Sequence, residues 1–95
     1  MHTIPKLIAA YKEYRESDYR SHARLYKELD EGQHPEIMVI SCADSRVEPF
    51  EIFHAQPGDL FVVRNVANLV PAYQDGDPDY SVSSAVEFAV TSLKV

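Results

Sequence analysis

Two short, wholly apolar runs, Ile37–Ile40 and Leu60–Val63, constrain this chain more than any other feature. A strand with one face in water alternates apolar and polar residues. A run without alternation reads as a strand buried on both faces. Pro57-Gly58-Asp59 introduces the second run with turn residues, and Glu48–His54 between the runs is predicted as a short helix. Two such strands joined by a crossover predict an α/β fold with a parallel sheet core and flanking helices.

Helical patterning brackets these strands. Ile4, Leu7, Ile8, Tyr11 and Tyr14 recur at helical spacing, and Pro5 suits a first turn, so residues 4–16 are predicted as an amphipathic helix. Ser17 or Asp18 can cap a second helix carrying Tyr19, His22, Leu25, Tyr26 and Leu29, which Gly32 ends and Pro35 keeps from resuming. Residues 71–80 read as a loop. Val82, Ala85, Val86, Ala89, Val90 and Leu93 mark a last helix, with Ser84 and Glu87 as a capping box or Ser81 as the cap, and no C-cap before Val95. A βαβ alternation stopping on a buried-looking helix reads as interrupted. The expectation is one incomplete domain over 1–95, with N-terminal helices in 1–32 and a βαβ core portion in 33–95.

Ninety-five residues suffice for one small domain. The net charge of −6 argues against a general nucleic-acid binder. Residues 1–32 carry six cations and six anions, so the whole excess lies in 33–95, where Arg46, Arg64 and Lys94 face nine anions. Cys42 is the only cysteine, so no intrachain disulfide forms and the cytoplasm is the expected compartment. The longest apolar run is five residues, Leu7–Tyr11, too short for a signal peptide or a membrane span.

Chemistry concentrates in Val39-Ile40-Ser41-Cys42-Ala43-Asp44-Ser45-Arg46. A thiol, a carboxylate and a guanidinium alternate just beyond a predicted parallel strand, where α/β folds place ligands. With extended backbone, positions 42, 44 and 46 share one side. Cys42 then suits a borderline-soft metal, while Asp44 and Arg46 form a bidentate pair. The plainer readings are a small core cysteine and a structural ion pair. A phosphatase-type Cys-x5-Arg loop is excluded, because the sixth residue after Cys42 is Glu48. His2, His22, His34 and His54 do not fall at metal-ligand spacing with Cys42, and His54 is expected at a helix end or the surface.

Cys42-Ala43-Asp44-Ser45-Arg46-Val47, followed in register by Gln56-Pro57-Gly58-Asp59-Leu60-Phe61-Val62-Val63-Arg64-Asn65-Val66-Ala67-Asn68, closely resembles the β-class carbonic anhydrases. Gly32-Gln33 with Pro35, and Ala85-Val86-Glu87-Phe88-Ala89-Val90, extend the likeness over roughly residues 25–95. The resemblance implies zinc-dependent reversible hydration of carbon dioxide to bicarbonate. It implies Cys42 as a zinc ligand, with Asp44 as the carboxylate that orients the attacking water or alternatively as a ligand itself. Arg46 would hold Asp44. Gln33 matches a position that hydrogen-bonds substrate, and Phe61, Val66 and Phe88 match apolar pocket positions, part of that lining coming across a subunit interface. Family members often carry Tyr where Phe88 stands. In a gated subclass Arg64 joins a regulatory bicarbonate site with a Trp; position 39 is Val, so the ungated subclass is implied, and the plain reading of Arg64 is a structural ion pair. The expected assembly is a homodimer or larger homo-oligomer in which the N-terminal helices pack on a partner subunit, with neither nucleic acid nor membrane as partner.

The family's other two ligands lie on a His-x-x-Cys segment that does not occur in this sequence. A catalytic zinc needs three protein ligands and an open position. Three explanations compete: part of a longer enzyme, a second polypeptide supplying the strand, or a non-catalytic assembly module. A redox-sensing thiol at Cys42 is a reading from a different class. The buried strand end and the adjacent Asp44 work against it.

Overall fold

The computed structural model describes residues 3–72 and 81–95. The chain divides into two compact units, residues 1–32 and 33–95. Most of the predicted loop 71–80 lies outside the described residues.

The first unit is helical. Helix α1 spans Ile4–Glu16, with Pro5 in its first turn and Arg15 in its last, where a cation suits the helix dipole. The single helix predicted beyond it is two: α2 over Asp18–Ser21 and α3 over Ala23–Asp30. The break falls at His22 (φ −111°, ψ 19°). There the Ser21 hydroxyl donates to the Asp18 carbonyl at 2.9 Å, and His22 Nδ1 lies 3.0 Å from the same oxygen. Side chains that capture a backbone carbonyl compete with the helix ladder. Ser17 and Asp18 do not cap α2; the Ser17 hydroxyl instead closes α1, donating to the Glu13 carbonyl at 2.8 Å. Tyrosines from all three helices cluster. Tyr14 OH donates to Tyr26 OH at 2.7 Å, and Tyr19 stacks on Tyr26 with centroids 5.0 Å apart. Gly32 ends the unit at φ 152°, a conformation that favours glycine. Ile4, Leu7, Ile8 and Tyr11 form an exposed apolar stripe on α1.

The second unit holds the sheet. Strands β1 (Ile37–Cys42) and β2 (Leu60–Asn65) are parallel, in register from Ile37 opposite Leu60 to Cys42 opposite Asn65. Each runs two residues beyond its apolar run, so polar Ser41, Cys42, Arg64 and Asn65 form the carboxyl edge. The strands are only half-covered within this chain, and Ile37 is 57% exposed, so burial on both faces is not reached. Covering both faces takes a layer on each side.

The crossover carries α4 (Pro49–Ile52), shorter than the predicted Glu48–His54. Phe53 and His54 leave the helix because His54 turns left-handed at φ 50°, and Ala55 N–H then donates to the Phe50 carbonyl at 2.8 Å. His54 is thus an exposed helix-end residue.

After β2 a 3-10 turn spans Val66–Asn68, with Ala67 at φ 68° and Asn68 at φ 45°. Helix α5 (Val82–Phe88) widens into π-type turns over Ala89–Leu93. The Thr91 hydroxyl donates to the Glu87 carbonyl at 2.6 Å, again competing with the helix ladder for a carbonyl. Because α5 starts at Val82, Ser84 is interior and the proposed capping box does not form. Lys94, at φ 61°, supplies the C-cap that was not expected. Among the described residues Ala89 and Val82 are buried, and Phe88 packs on Phe61 of β2 with ring centroids 5.8 Å apart. Among the described residues no helix is long and apolar enough to cross a membrane.

Candidate functional site

The site is built where β1 ends. Cys42 is the last strand residue, and Ala43 N–H still donates to the Asn65 carbonyl at 2.8 Å, extending the ladder one step. The backbone then turns rather than staying extended. Val47 N–H donates to the Asp44 carbonyl at 3.1 Å, closing a turn over Ser45 and Arg46. Residues 42, 44 and 46 therefore meet through a turn, because an Asp side chain readily caps its own following backbone. Arg46 N–H donates to Asp44 Oδ1 at 2.8 Å.

The same carboxylate receives the Arg46 side chain as a fork. Nε lies 3.0 Å from Oδ1 and Nη2 lies 2.6 Å from Oδ2. The guanidinium and then the Arg46 amide hold the Asp44 carboxyl down at about 2, and the pair raises Arg46 in return. The Arg46 side chain is 87% exposed, so the fork fixes the orientation of Asp44 more than it stabilises the fold.

The Cys42 sulfur faces amides. Asp44 N–H donates to Sγ at 3.4 Å, and the backbone of Ala67 also favours the ionised thiol. In that order these lower the thiol's pKa from its ordinary value, with a smaller push from the Arg64 charge. Ala67 has a left-handed backbone, and Asn65 pins the turn. Its side chain donates from Nδ2 to the Leu69 carbonyl at 2.9 Å and accepts from Leu69 N–H at 2.7 Å. Nothing in the sequence beyond the string Arg64-Asn65-Val66-Ala67-Asn68 signals this second contact with Cys42.

Arg64 carries the ion pair of its plain reading, Nη1 to Glu48 Oε2 at 3.3 Å, and more. It donates to three carbonyls of the loop: from Nε to Cys42 at 3.0 Å, and from Nη2 to Asp44 at 2.8 Å and to Val47.

The other predicted positions are dispersed. Gln33 is exposed coil. Val66 is 81% exposed and lines a largely apolar groove of about 450 Å³ with Leu69, Val70, Pro71 and Val82. Phe61 pairs with Met38, four residues before Cys42 on β1, so it and Phe88 are not beside the thiol of their own chain.

A thiol whose surroundings favour its ionised form suits a metal, and Asp44, with both oxygens taken by Arg46, would ligate only if the fork opened. Among the described residues no group of three His, Cys, Asp or Glu can hold a metal ion, so these residues by themselves do not make a zinc site.

The family model for carbonic anhydrase matches residues 37–95. The chain is 40% identical over 92 residues to a carbonic anhydrase of Synechocystis sp., covering 97% of this chain and 33% of that protein. It superposes on the β-carbonic anhydrase CcaA with a TM-score of 0.90 at 39% identity, covering 97% of this chain and 40% of that one. A tetrameric β-carbonic anhydrase of Sordaria macrospora matches with a TM-score of 0.78 at 32% identity, over 94% of this chain and 43% of that one. The chain spans about a third of the length of the curated relatives it matches.

Proposed function

The chain belongs to the β-carbonic anhydrase family, and on that premise we propose that it serves the reversible hydration of carbon dioxide to bicarbonate. The observation that carries this reading is the carboxyl edge of β1. There a thiol lowered by backbone amides stands two residues from a carboxylate locked by a guanidinium.

Cys42 contributes one zinc ligand in this reading, and the remaining ligands come from outside these residues. Zinc, when bound, supplies the Lewis acidity that makes water a nucleophile near neutral pH. Asp44 accepts a hydrogen bond from the attacking water and so fixes its orientation. Arg46 keeps both Asp44 oxygens aligned for that task and holds the group ionised. Val66 and the groove beside it offer the apolar surface that a linear, nonpolar substrate needs. Gln33 is proposed to donate to substrate, and Phe61 and Phe88 to line the pocket of a neighbouring subunit. The protein works as a homodimer or larger assembly, with α1 covering a partner, in the cytoplasm.

Joining the chain to a His-x-x-Cys strand and measuring zinc content and hydration by stopped flow tests this. The expected result is one tight zinc per subunit and hydration, with only weak zinc binding by the 95 residues alone. A zinc-loaded protein without hydration would favour the assembly-module reading.

A further inference from the structure

Three carbonyls of the Cys42–Val47 loop converge on one side chain, while two of its amides meet the side chains of Cys42 and Asp44. Arg64 donates to the carbonyls of Cys42, Asp44 and Val47. The amide of Asp44 points at the Cys42 sulfur and that of Arg46 at the Asp44 carboxylate. The carbonyls that Arg64 holds belong to the planar peptide units 42–43, 44–45 and 47–48, which alternate with the 43–44 and 45–46 units that carry these two amides, so Arg64 pins the chain on both sides of each donor. Arg64 is itself fixed, since it lies in β2 opposite Ser41 and its Nη1 meets Glu48. Its side chain is only 29% exposed, far less than that of Arg46.

We propose that Arg64 is the positioning residue of this site, holding the loop on both sides of the Asp44 and Arg46 amides so that the Asp44 amide stays on Cys42 and the Asp44 carboxylate keeps its working angle. It acts through the loop and touches neither substrate nor metal. A lysine replaces it only in part, because one ammonium lacks the forked donors that reach three carbonyls at once. The proposal rests on the reading of Cys42 and Asp44 as the working residues, but its test does not depend on hydration.

Amide hydrogen exchange on the 95-residue chain reads the loop directly. Arg64→Met is expected to speed exchange at Asp44, Arg46 and Val47 at least about tenfold, leaving the β1 and β2 amides near their original rates. Arg64→Lys restores part of that protection, and Glu48→Gln, which removes one contact of four, changes it little. Unchanged loop exchange in Arg64→Met overturns the proposal, as does equal acceleration in loop and strands, which marks a merely structural residue. If Arg64→Met does not fold, wild-type loop protection in Arg64→Lys overturns it, and protection between wild-type and unprotected rates supports it. A protected loop in a protein that fails to hydrate carbon dioxide counts against the function reading alone; hydration with an Arg64-indifferent loop counts against this one alone.

Discussion

Arg46 meets Asp44 as a fork, with two nitrogens of one guanidinium against two oxygens of one carboxylate and the Arg46 amide donating to Oδ1 as well. The pair spans two residues of a turn, so it has no long-range packing role to perform. What it controls is the direction of the Asp44 oxygens.

Substituting either partner should therefore cost function more than fold. In the chain joined to a His-x-x-Cys strand, Asp44→Asn should lower metal affinity or hydration ~10–100-fold. Arg46→Ala should cost at least as much, because it frees the carboxylate to swing. The double mutant should lose less than the product of the two, since both act on one water. Stopped-flow rates with matched zinc content check this, and indifference to both changes would refute the proposed roles.

The thiol offers a test without metal. Because the Asp44 and Ala67 backbones favour its ionised form, Cys42 should alkylate with a midpoint at lower pH in the native chain than in the same chain in urea. Iodoacetamide rates across pH measure both. Coincident midpoints would mean that the amides do not reach the sulfur in solution.

Acid should loosen the turn in a defined window. The folded Asp44 pKa, about 2, lies below that of a free aspartate, about 3.9. The sign is that of a depressed carboxyl: its contribution is complete above about pH 4 and is lost as pH falls toward 2. Exchange of the Arg46 amide should rise through that window in the wild type, once corrected for intrinsic pH dependence. In Asp44→Asn the corrected exchange should stay flat through the same window.

Helix α1 bears on assembly. Its exposed stripe of Ile4, Leu7, Ile8 and Tyr11 has the pattern of a face meant to be covered. Deleting residues 1–16 should lower the sedimenting mass to a smaller species, and an unchanged mass would remove this helix from the interface.

Much of this was legible from residue order. The unbroken apolar runs at 37–40 and 60–63 mark parallel strands because only their composition fits such a sheet, and the Cys42, Asp44, Arg46 spacing marks the chemistry. What sequence patterning missed depends on side chains competing for backbone groups. Ser21 and His22 break a helix that periodicity joins, and Thr91 widens one that periodicity leaves regular. The turn that brings Asp44 to Arg46 is not legible, since alternation at 42, 44 and 46 cannot tell an extended strand end from an Asp-capped turn. Arg64 was visible as a rare cation in an acidic segment, but its three carbonyl partners lie seventeen to twenty-two residues away in sequence.

Ala67 holds a left-handed backbone with a methyl group where glycine would sit without steric cost. Selection for thermal stability alone would favour Ala67→Gly, which relieves that strain. The same change would give the backbone beside Cys42 a freedom that the methyl group denies it. A heat-selected library of this chain would therefore enrich glycine at 67 while blunting the thiol, so stability is a poor proxy for fitness at this position.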